Sequence, residues 1–352
     1  MSDHAAIPGR AIRLAGGRVS ARVPIRPVVV TGCLFVATLA AAVFAVGTGE
    51  FPVPPGEVVS VLVGGGDPGS QFIVNELRLP RVVCALLCGV ALGISGTVFQ
   101  TLTRNPLGSP DIVGFQQGAV TGALFVITIV EGTGTSASVG ALVGGMTTAA
   151  VVYVLSIKDR RLSGFRLVLV GIAISMLMLA LNDYMLSRAR VEDGQEATRW
   201  LLGSLNGRTW DDATTLLIAG ALLFPVCALA GRALRVLELG EDGACGLGLR
   251  VERARLGLVA IAVALVAVTT VAIGPVAFVA LTAPQIARRL TRSAQPPLLA
   301  SAVTGALIVQ VADIAGQRLV PSTPLPVGVM TGMVGGLYLI WLLATEWRSG
   351  RA

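Results

Sequence analysis

The amino-acid sequence predicts an all-α polytopic membrane protein with about ten transmembrane helices and both termini in the cytoplasm. Of its 352 residues, 54% are hydrophobic and only 13% are charged, whereas soluble domains carry roughly 25% charged residues. Long uncharged runs recur along the chain, and the arginines are concentrated in every second connection between them. This pattern excludes an ordinary cytosolic enzyme and a disordered chain.

Uncharged runs locate the spans, because a hydrocarbon core of about 30 Å needs about 20 helical residues. The run 256–287 is too long for one crossing, and Gly274-Pro275 interrupts it, since proline removes a backbone donor. We therefore divide it into two spans. The other eight spans are 27–49, 82–103, 112–130, 132–157, 167–182, 213–231, 293–312 and 319–345.

This division predicts three segments. They are an Arg-rich N-terminal tail at 1–26, a ten-helix transmembrane domain at 27–345 and a C-terminal tail at 346–352. With ten spans both tails lie on one side, which holds 20 of the 27 Lys and Arg residues, and the opposite side holds seven. Because basic residues are retained in the cytoplasm, both tails are expected there. The formal net charge of +7 is then a topology signal, and we expect no nucleic-acid partner.

The sequence lacks the residues that several kinds of functional site require. The only lysine, Lys158, follows no glycine-rich loop, so the chain has no Walker A site for ATP. The only histidine, His4, lies in the tail, and the five cysteines have no metal-ligand spacing. Ion-coupled carriers place ionisable groups near the midplane, whereas Asp183 and Asp313 fall near outer helix ends, where water can hydrate them. Neither a secondary carrier nor a membrane enzyme is favoured, so we expect a non-enzymatic pathway former powered by a partner.

A series of motifs spans nearly the whole domain in fixed order. It comprises R-L-P-R at 78–81, G-x3-G-x-S-G at 89–96, R-N-P-L-G-S-P-D at 104–111, W-L-L-G-S-L at 200–205, L-G-E-D at 239–242, G-P-x-x-F at 274–278 and L-P-V-G-V at 325–329. The series resembles the iron-siderophore and cobalamin permease family of ATP-binding-cassette (ABC) importers. Gln285, where the family often has His, and the ending G-L-Y-L-I-W at 336–341 are similar to ferric-enterobactin-type permease subunits.

The resemblance implies a multi-pass subunit of the bacterial plasma (inner) membrane that moves a ferric siderophore inward by alternating access. Cobalamin and haem remain alternative cargoes, and an ion-coupled carrier is the remoter alternative. The implied partners are a second permease subunit in a homo- or heterodimer, two ATPase subunits and an extracytoplasmic siderophore-binding protein. ATP and Mg would be used by the ATPases, so this chain would bind no cofactor and no metal, and it would have no catalytic residue.

A short helix is expected in the connection after 231, because Glu241 and Asp242 suit a helix start, and Gly246 and Gly248 would end it within about two turns. A helix lying on the membrane surface can sit in a cleft of an ATPase, although a solvated loop helix is the alternative. The resemblance assigns ATPase coupling to this loop, namely to Leu239, Gly240, Glu241, Asp242, Ala244, Leu247 and Gly248.

Two arginines depart from the positive-inside trend. Arg78 and Arg81 flank Pro80 just outside the second span, and proline gives them a defined backbone direction. The resemblance implies that they dock the binding protein, and that Arg318 joins them although the family's arginine falls one position earlier, at Gln317. The alternative is snorkelling to lipid headgroups.

Other polar residues mark the pathway and the inner surface. Asn182 and Asp183 end the fifth span, and the resemblance implies that they line the outer pathway, whereas hydration at the interface is the alternative. Arg104, Asn105 and Pro106 form either a tight turn or an inner gate. Glycine stripes at 89/93/96, 140/144 and 328/332 predict close helix packing.

Overall fold

The structure is a computed structural model that describes residues 9–14, 19–49, 51–111, 114–132, 134–158, 161–162, 164–319 and 324–348. Within these residues the fold is a helical bundle. Its helices are α1 (Ile25–Gly47), α2 (Pro55–Leu62), α3 (Pro68–Phe72), α4 (Leu79–Thr103), α5 (Phe115–Thr128), α6 (Thr135–Ser156), α7 (Gly164–Arg188), α8 (Val191–Leu201), α9 (Trp210–Glu238), α10 (Glu241–Gly246), α11 (Val251–Ile273), α12 (Val279–Thr291), α13 (Leu298–Arg318) and α14 (Val327–Arg348).

Helices occupy all ten predicted span positions. Seven helical stretches in the described chain are long and apolar enough to cross a membrane, and one of them is the joined stretch Pro68–Thr103. The helices α5, α12 and α14 stand at the other three positions, with 14, 13 and 22 residues. The predicted break is confirmed, since α11 ends at Ile273 and α12 begins at Val279.

Several elements were not predicted. Two antiparallel hairpins pair β1 (Gly9–Leu14) with β2 (Val19–Pro24) and β3 (Ile157–Lys158) with β4 (Arg161–Leu162), so the described chain is not purely α. The hairpin of β1 and β2 lies within the expected tail 1–26, and α1 begins at Ile25 directly after it. The helices α2, α3 and α8 are additional short elements in long connections.

The helix α4 is the centre of the bundle and packs against α9, α11, α12 and α13. Its stripe Gly89, Gly93 and Gly96 makes the close approach to α12 and α13 possible, because a Cβ at each would overlap a backbone carbonyl oxygen of Gly305, Ser301 or Ala280, respectively. The stripe of Gly140 and Gly144 packs against α5 in the same way. Both stripes confirm the expected close packing, which drives helix association in lipid. In the third stripe Gly328 is closely packed, but Gly332 faces open space.

Candidate functional site: an arginine cavity, a polar pathway wall and a surface helix

The three predicted docking arginines meet at one cavity. A cavity of about 690 Å³ is lined by Arg78, Arg81 and Arg318 together with Gln317, where α4 begins and α13 ends. We call it the arginine cavity. Arg78 and Arg81 lie three positions apart in the sequence, whereas Arg318 follows Arg81 by 237 positions, and the fold brings all three to one wall.

The backbone before α4 sets the direction of the first two arginines. A π-helical segment, Ile73–Arg78, joins α3 to α4, and Pro80 stands in the first turn of α4. Proline has no N–H and its ring crowds the carbonyl four residues earlier. A π-helical turn is wider than an α-helical one and leaves room for the proline ring, so the helical stretch continues from Pro68 to Thr103.

Arg81 is held by a buried carboxylate. Its Nε donates to Asp313 Oδ2 at 2.9 Å and its Nη2 donates to Asp313 Oδ1 at 2.7 Å, and the Asp313 side chain is 2% exposed. Gln317 Nε2 donates to Asp313 Oδ2 at 2.8 Å. The expectation that water hydrates Asp313 is therefore wrong, because the fold buries the carboxylate and supplies a bidentate guanidinium instead.

Arg78 and Arg318 are held without a carboxylate. Arg78 Nη1 donates to Val46 O at 2.8 Å and its Nη2 donates to Phe51 O, so this guanidinium fixes the chain that leaves α1. The Arg318 guanidinium lies over the Phe44 ring, 4.7 Å from its centroid. Within the described residues the cavity wall thus keeps two positive charges that no carboxylate neutralises, a setting that attracts anionic groups.

Asn182 and Asp183 line a second cavity, of about 320 Å³, which we call the pathway cavity. Asp183 is exposed, whereas Asn182 is 2% exposed. Thr121 Oγ1 donates to Asn182 Oδ1 at 2.7 Å, and Asn182 Nδ2 donates to Gln117 Oε1 at 3.3 Å. Asn182 therefore holds α7 to α5, and Asp183 is the group that is open to the cavity.

The broken backbone between α11 and α12 forms the facing wall of the pathway cavity, through Pro275 and Ala277. Gln116 Nε2 donates to Val276 O at 3.0 Å and fixes this segment to α5. Exposed backbone at a helix break is a common feature of transporter binding sites. Sequence reasoning did not select Gln116 and Gln117, although two adjacent amides in an otherwise apolar span were a usable signal.

The predicted short helix is present as α10. Gly240 precedes it with a φ of +101° and Gly248 follows it with a φ of +78°, conformations that favour glycine. Ala244 is fully buried, whereas Leu239 and Leu247 are 66% and 65% exposed. Two leucines at the ends of one short helix thus face outward while its middle packs inward.

An ion pair fixes α10 to the bundle. Arg255 on α11 donates from Nη2 to Glu241 Oε1 at 2.6 Å, and its side chain is 9% exposed. The pair therefore joins α10 directly to α11. Asp242 stands in the first turn, as expected from the helix dipole.

The arginine cavity and α10 lie at opposite ends of the bundle. Trp210, which begins α9, donates from Nε1 to Asn75 O at 2.8 Å, so α9 begins beside the arginine cavity. At 1.5 Å per residue its 29 residues extend about 43 Å before the chain enters α10. This length exceeds the roughly 30 Å of a hydrocarbon core.

The residues Arg104, Asn105 and Pro106 form a turn. Arg104 has a φ of +49°, and Asn105 Oδ1 accepts a hydrogen bond from the Leu107 N–H at 2.9 Å. Gln285 Nε2 on α12 donates to Pro106 O at 2.7 Å. The turn therefore connects α4 to α12 across the end of the bundle. Within the described residues, no group of three His, Cys, Asp or Glu side chains is placed to hold a metal.

Comparison with known proteins identifies the family. The model of the FecCD transport family matches residues 37–345. The ferric enterobactin transport system permease protein FepG of Escherichia coli (strain K12) is 40% identical over 92% of this chain and 98% of its own length. The probable siderophore transport system permease protein YfhA of Bacillus subtilis (strain 168) is 34% identical over 87% of this chain and 91% of its own length.

A solved structure agrees with the fold. It is described as an inward-facing conformation of a metal-chelate type ABC transporter, and it superposes with a TM-score of 0.78 at 26% identity. The match covers 91% of this chain and 99% of that one. The protein therefore belongs to the FecCD transport family.

Proposed function

We propose that this protein is the membrane-spanning permease subunit of an ABC importer that carries a ferric siderophore inward across a bacterial plasma membrane. The family match over residues 37–345 carries this proposal. The cargo is inferred from relatives named for ferric enterobactin and Fe(3+)-citrate, which share 40% and 34% identity with the chain. The subunit itself changes no bond in the cargo and binds no cofactor.

The assembly contains a second permease subunit, two ATPase subunits and an extracytoplasmic binding protein. The permease–permease contact lies within the membrane, where α7 and α14 expose apolar side chains such as Met176 and Leu337, at 61% and 67% exposed. ATP and Mg act in the ATPase subunits.

The chain crosses the membrane ten times with both termini in the cytoplasm. The distribution of 20 and seven basic residues supports this orientation. It places the arginine cavity outside and α10 inside, which are the sides where a binding protein and an ATPase are found. The tails 1–26 and 346–352 flank the membrane domain.

The described residues suggest a role for each site. The binding protein presents carboxylates to the arginine cavity, and the cargo enters along the pathway cavity beside Asp183. Closure of the ATPases on α10 moves α11, and the turn at Arg104, Asn105 and Pro106 links α4 and α12 at the inner side. Alternating access follows when the outer and inner ends open in turn.

Uptake in cells tests the cargo. A strain lacking this chain, complemented with the wild type, should accumulate ⁵⁵Fe from a ferric siderophore, and the uncomplemented strain should not. Unlabelled siderophores of the catecholate, hydroxamate and citrate classes, cobalamin and haem then serve as competitors. Competition by cobalamin or haem and by no siderophore would contradict the proposed cargo.

Charge reversal tests docking. The variant Arg78→Glu should weaken association with the binding protein, and more strongly at low ionic strength, where screening is weakest. Assembly with the ATPases should be unchanged. Unaltered affinity at low salt would return the arginines to the lipid-headgroup alternative.

A further inference from the structure

The ion pair of Arg81 and Asp313 occupies only one edge of the Arg81 guanidinium. We propose that Asp313 and Gln317 are positioning residues of the arginine cavity, which aim the free N–H groups of Arg81 at an incoming carboxylate of the binding protein. This inference rests on the proposed docking function of the cavity and adds two residues to it.

The number of hydrogen-bond donors on Arg81 supports the proposal. A guanidinium has five N–H groups in one plane, and Asp313 takes the Nε donor and one Nη2 donor. In the described part of the chain no other acceptor is bonded to Arg81, whose side chain is 18% exposed and lines the cavity. The adjoining edge, formed by Nη1 and the second hydrogen of Nη2, is therefore left for a second carboxylate.

Asp313 and Gln317 fix the plane of the Arg81 guanidinium. Asp313 is 2% exposed, so its charge is compensated by Arg81 and not by water. Gln317, one helical turn later, donates to Oδ2 at 2.8 Å and so restrains the carboxylate. Since the bidentate contact makes guanidinium and carboxylate coplanar, fixing Asp313 also fixes the direction of the free donors of Arg81.

Removing the charge of Asp313 distinguishes a positioning role from simple electrostatic attraction. Arg81 and Asp313 together are neutral, so the net positive charge of the wall comes from Arg78 and Arg318. Replacing Asp313 by Asn adds one positive charge to the wall. Attraction alone predicts that an acidic partner then binds more tightly, whereas loss of positioning predicts weaker binding.

The test uses the complete importer in lipid nanodiscs, with its own purified binding protein, fluorescently labelled, as the probe. Asp313→Asn should raise the Kd roughly tenfold or more, the loss expected for one oriented charge-assisted contact. Gln317→Ala should raise it by roughly threefold. Both increases should persist at about 0.5 M salt, where long-range attraction is screened.

A matched control adds the same charge at the same end of the bundle. Asp211 lies exposed in the first turn of α9, outside the cavity lining, and Asp211→Asn should leave the Kd unchanged or slightly lower. Wild-type or tighter binding by Asp313→Asn would overturn the proposal. If Arg78→Glu loses binding while Asp313→Asn binds like the wild type, the docking role of the arginine cavity is retained. Only the positioning role of Asp313 and Gln317 is then refuted.

A charge swap separates positioning from folding. The double variant Arg81→Asp with Asp313→Arg can restore the ion pair and hence the thermal stability, but it puts a carboxylate in the wall. We expect melting closer to the wild type than that of Asp313→Asn, because the charges are paired again, and weak binding. A swap that recovers both stability and affinity would show that only the pairing matters, and would overturn the proposal. If Asp313→Asn fails to assemble, the swap and Gln317→Ala decide the question.

Discussion

The exposed leucine at the end of α10 gives the sharpest test of ATPase coupling. Leu247 is 65% exposed, and full burial of a leucine contributes about 1.5–3 kcal/mol, so burying this exposed part against an ATPase would contribute about 1–2 kcal/mol. A glutamate at 247 loses that term and adds a desolvation cost of roughly 2 kcal/mol. The total of about 3–4 kcal/mol corresponds to more than a hundredfold weaker contact.

We therefore expect Leu247→Glu to insert, fold and melt like the wild type, because an exposed substitution changes stability by only about 0.5 kcal/mol. ATPase association in detergent and ATP-driven uptake should both be lost. Gln295→Glu, which adds the same charge in the exposed connection between α12 and α13, is the matched control and should transport normally. Uptake by Leu247→Glu at the wild-type rate would refute the coupling role of α10.

Three further predictions concern packing, protonation and orientation. Gly93→Leu should destabilise the bundle by about 1–3 kcal/mol through overpacking, measured as a lower Tm. Gly257→Leu is the control and should not lower the Tm, because a Cβ at Gly257 meets open space. Equal melting of the two variants would contradict the packing account. Burial raises the pKa of Asp111 from 3.8 to about 7, so the folded state binds its proton more tightly than the unfolded state. The free energy of unfolding should then fall as the pH rises from about 4 to 7 and this proton is lost. Asp111→Asn should flatten that decline in thermal melts, and an unchanged pH profile in this variant would contradict the role of Asp111. In a cysteine-free background, a cysteine at Arg190 should react with an impermeant reagent from outside and one at Gln295 should not, and the reverse pattern would overturn the topology.

The spans were predictable because their signal is local. An uncharged run of the right length forms a helix in lipid whatever its neighbours are. The break at Gly274-Pro275 and the short helix before Gly248 were likewise readable, since proline and glycine act through their own backbone. The close approach of α4 to its neighbours followed from the spacing of Gly89, Gly93 and Gly96.

The contacts within the sites were not predictable. Arg81 and Asp313 lie 232 positions apart, and nothing in one sequence pairs them. Asp313 was therefore expected in water, and the fold buries it instead. The burial of Asn182 depends in the same way on Gln117 and Thr121, which belong to another helix. The hairpin of β1 and β2 was missed because its strands lie in a segment treated only as a charged tail.

The central claim is that this subunit imports a ferric siderophore with energy from ATP. The direct measurement reconstitutes the permease with its ATPase and binding protein in liposomes and follows entry of ⁵⁵Fe-siderophore. We expect uptake only with ATP and Mg on the ATPase side and binding protein on the other, and no uptake from an imposed proton or sodium gradient. Uptake driven by an ion gradient without ATP would contradict the account.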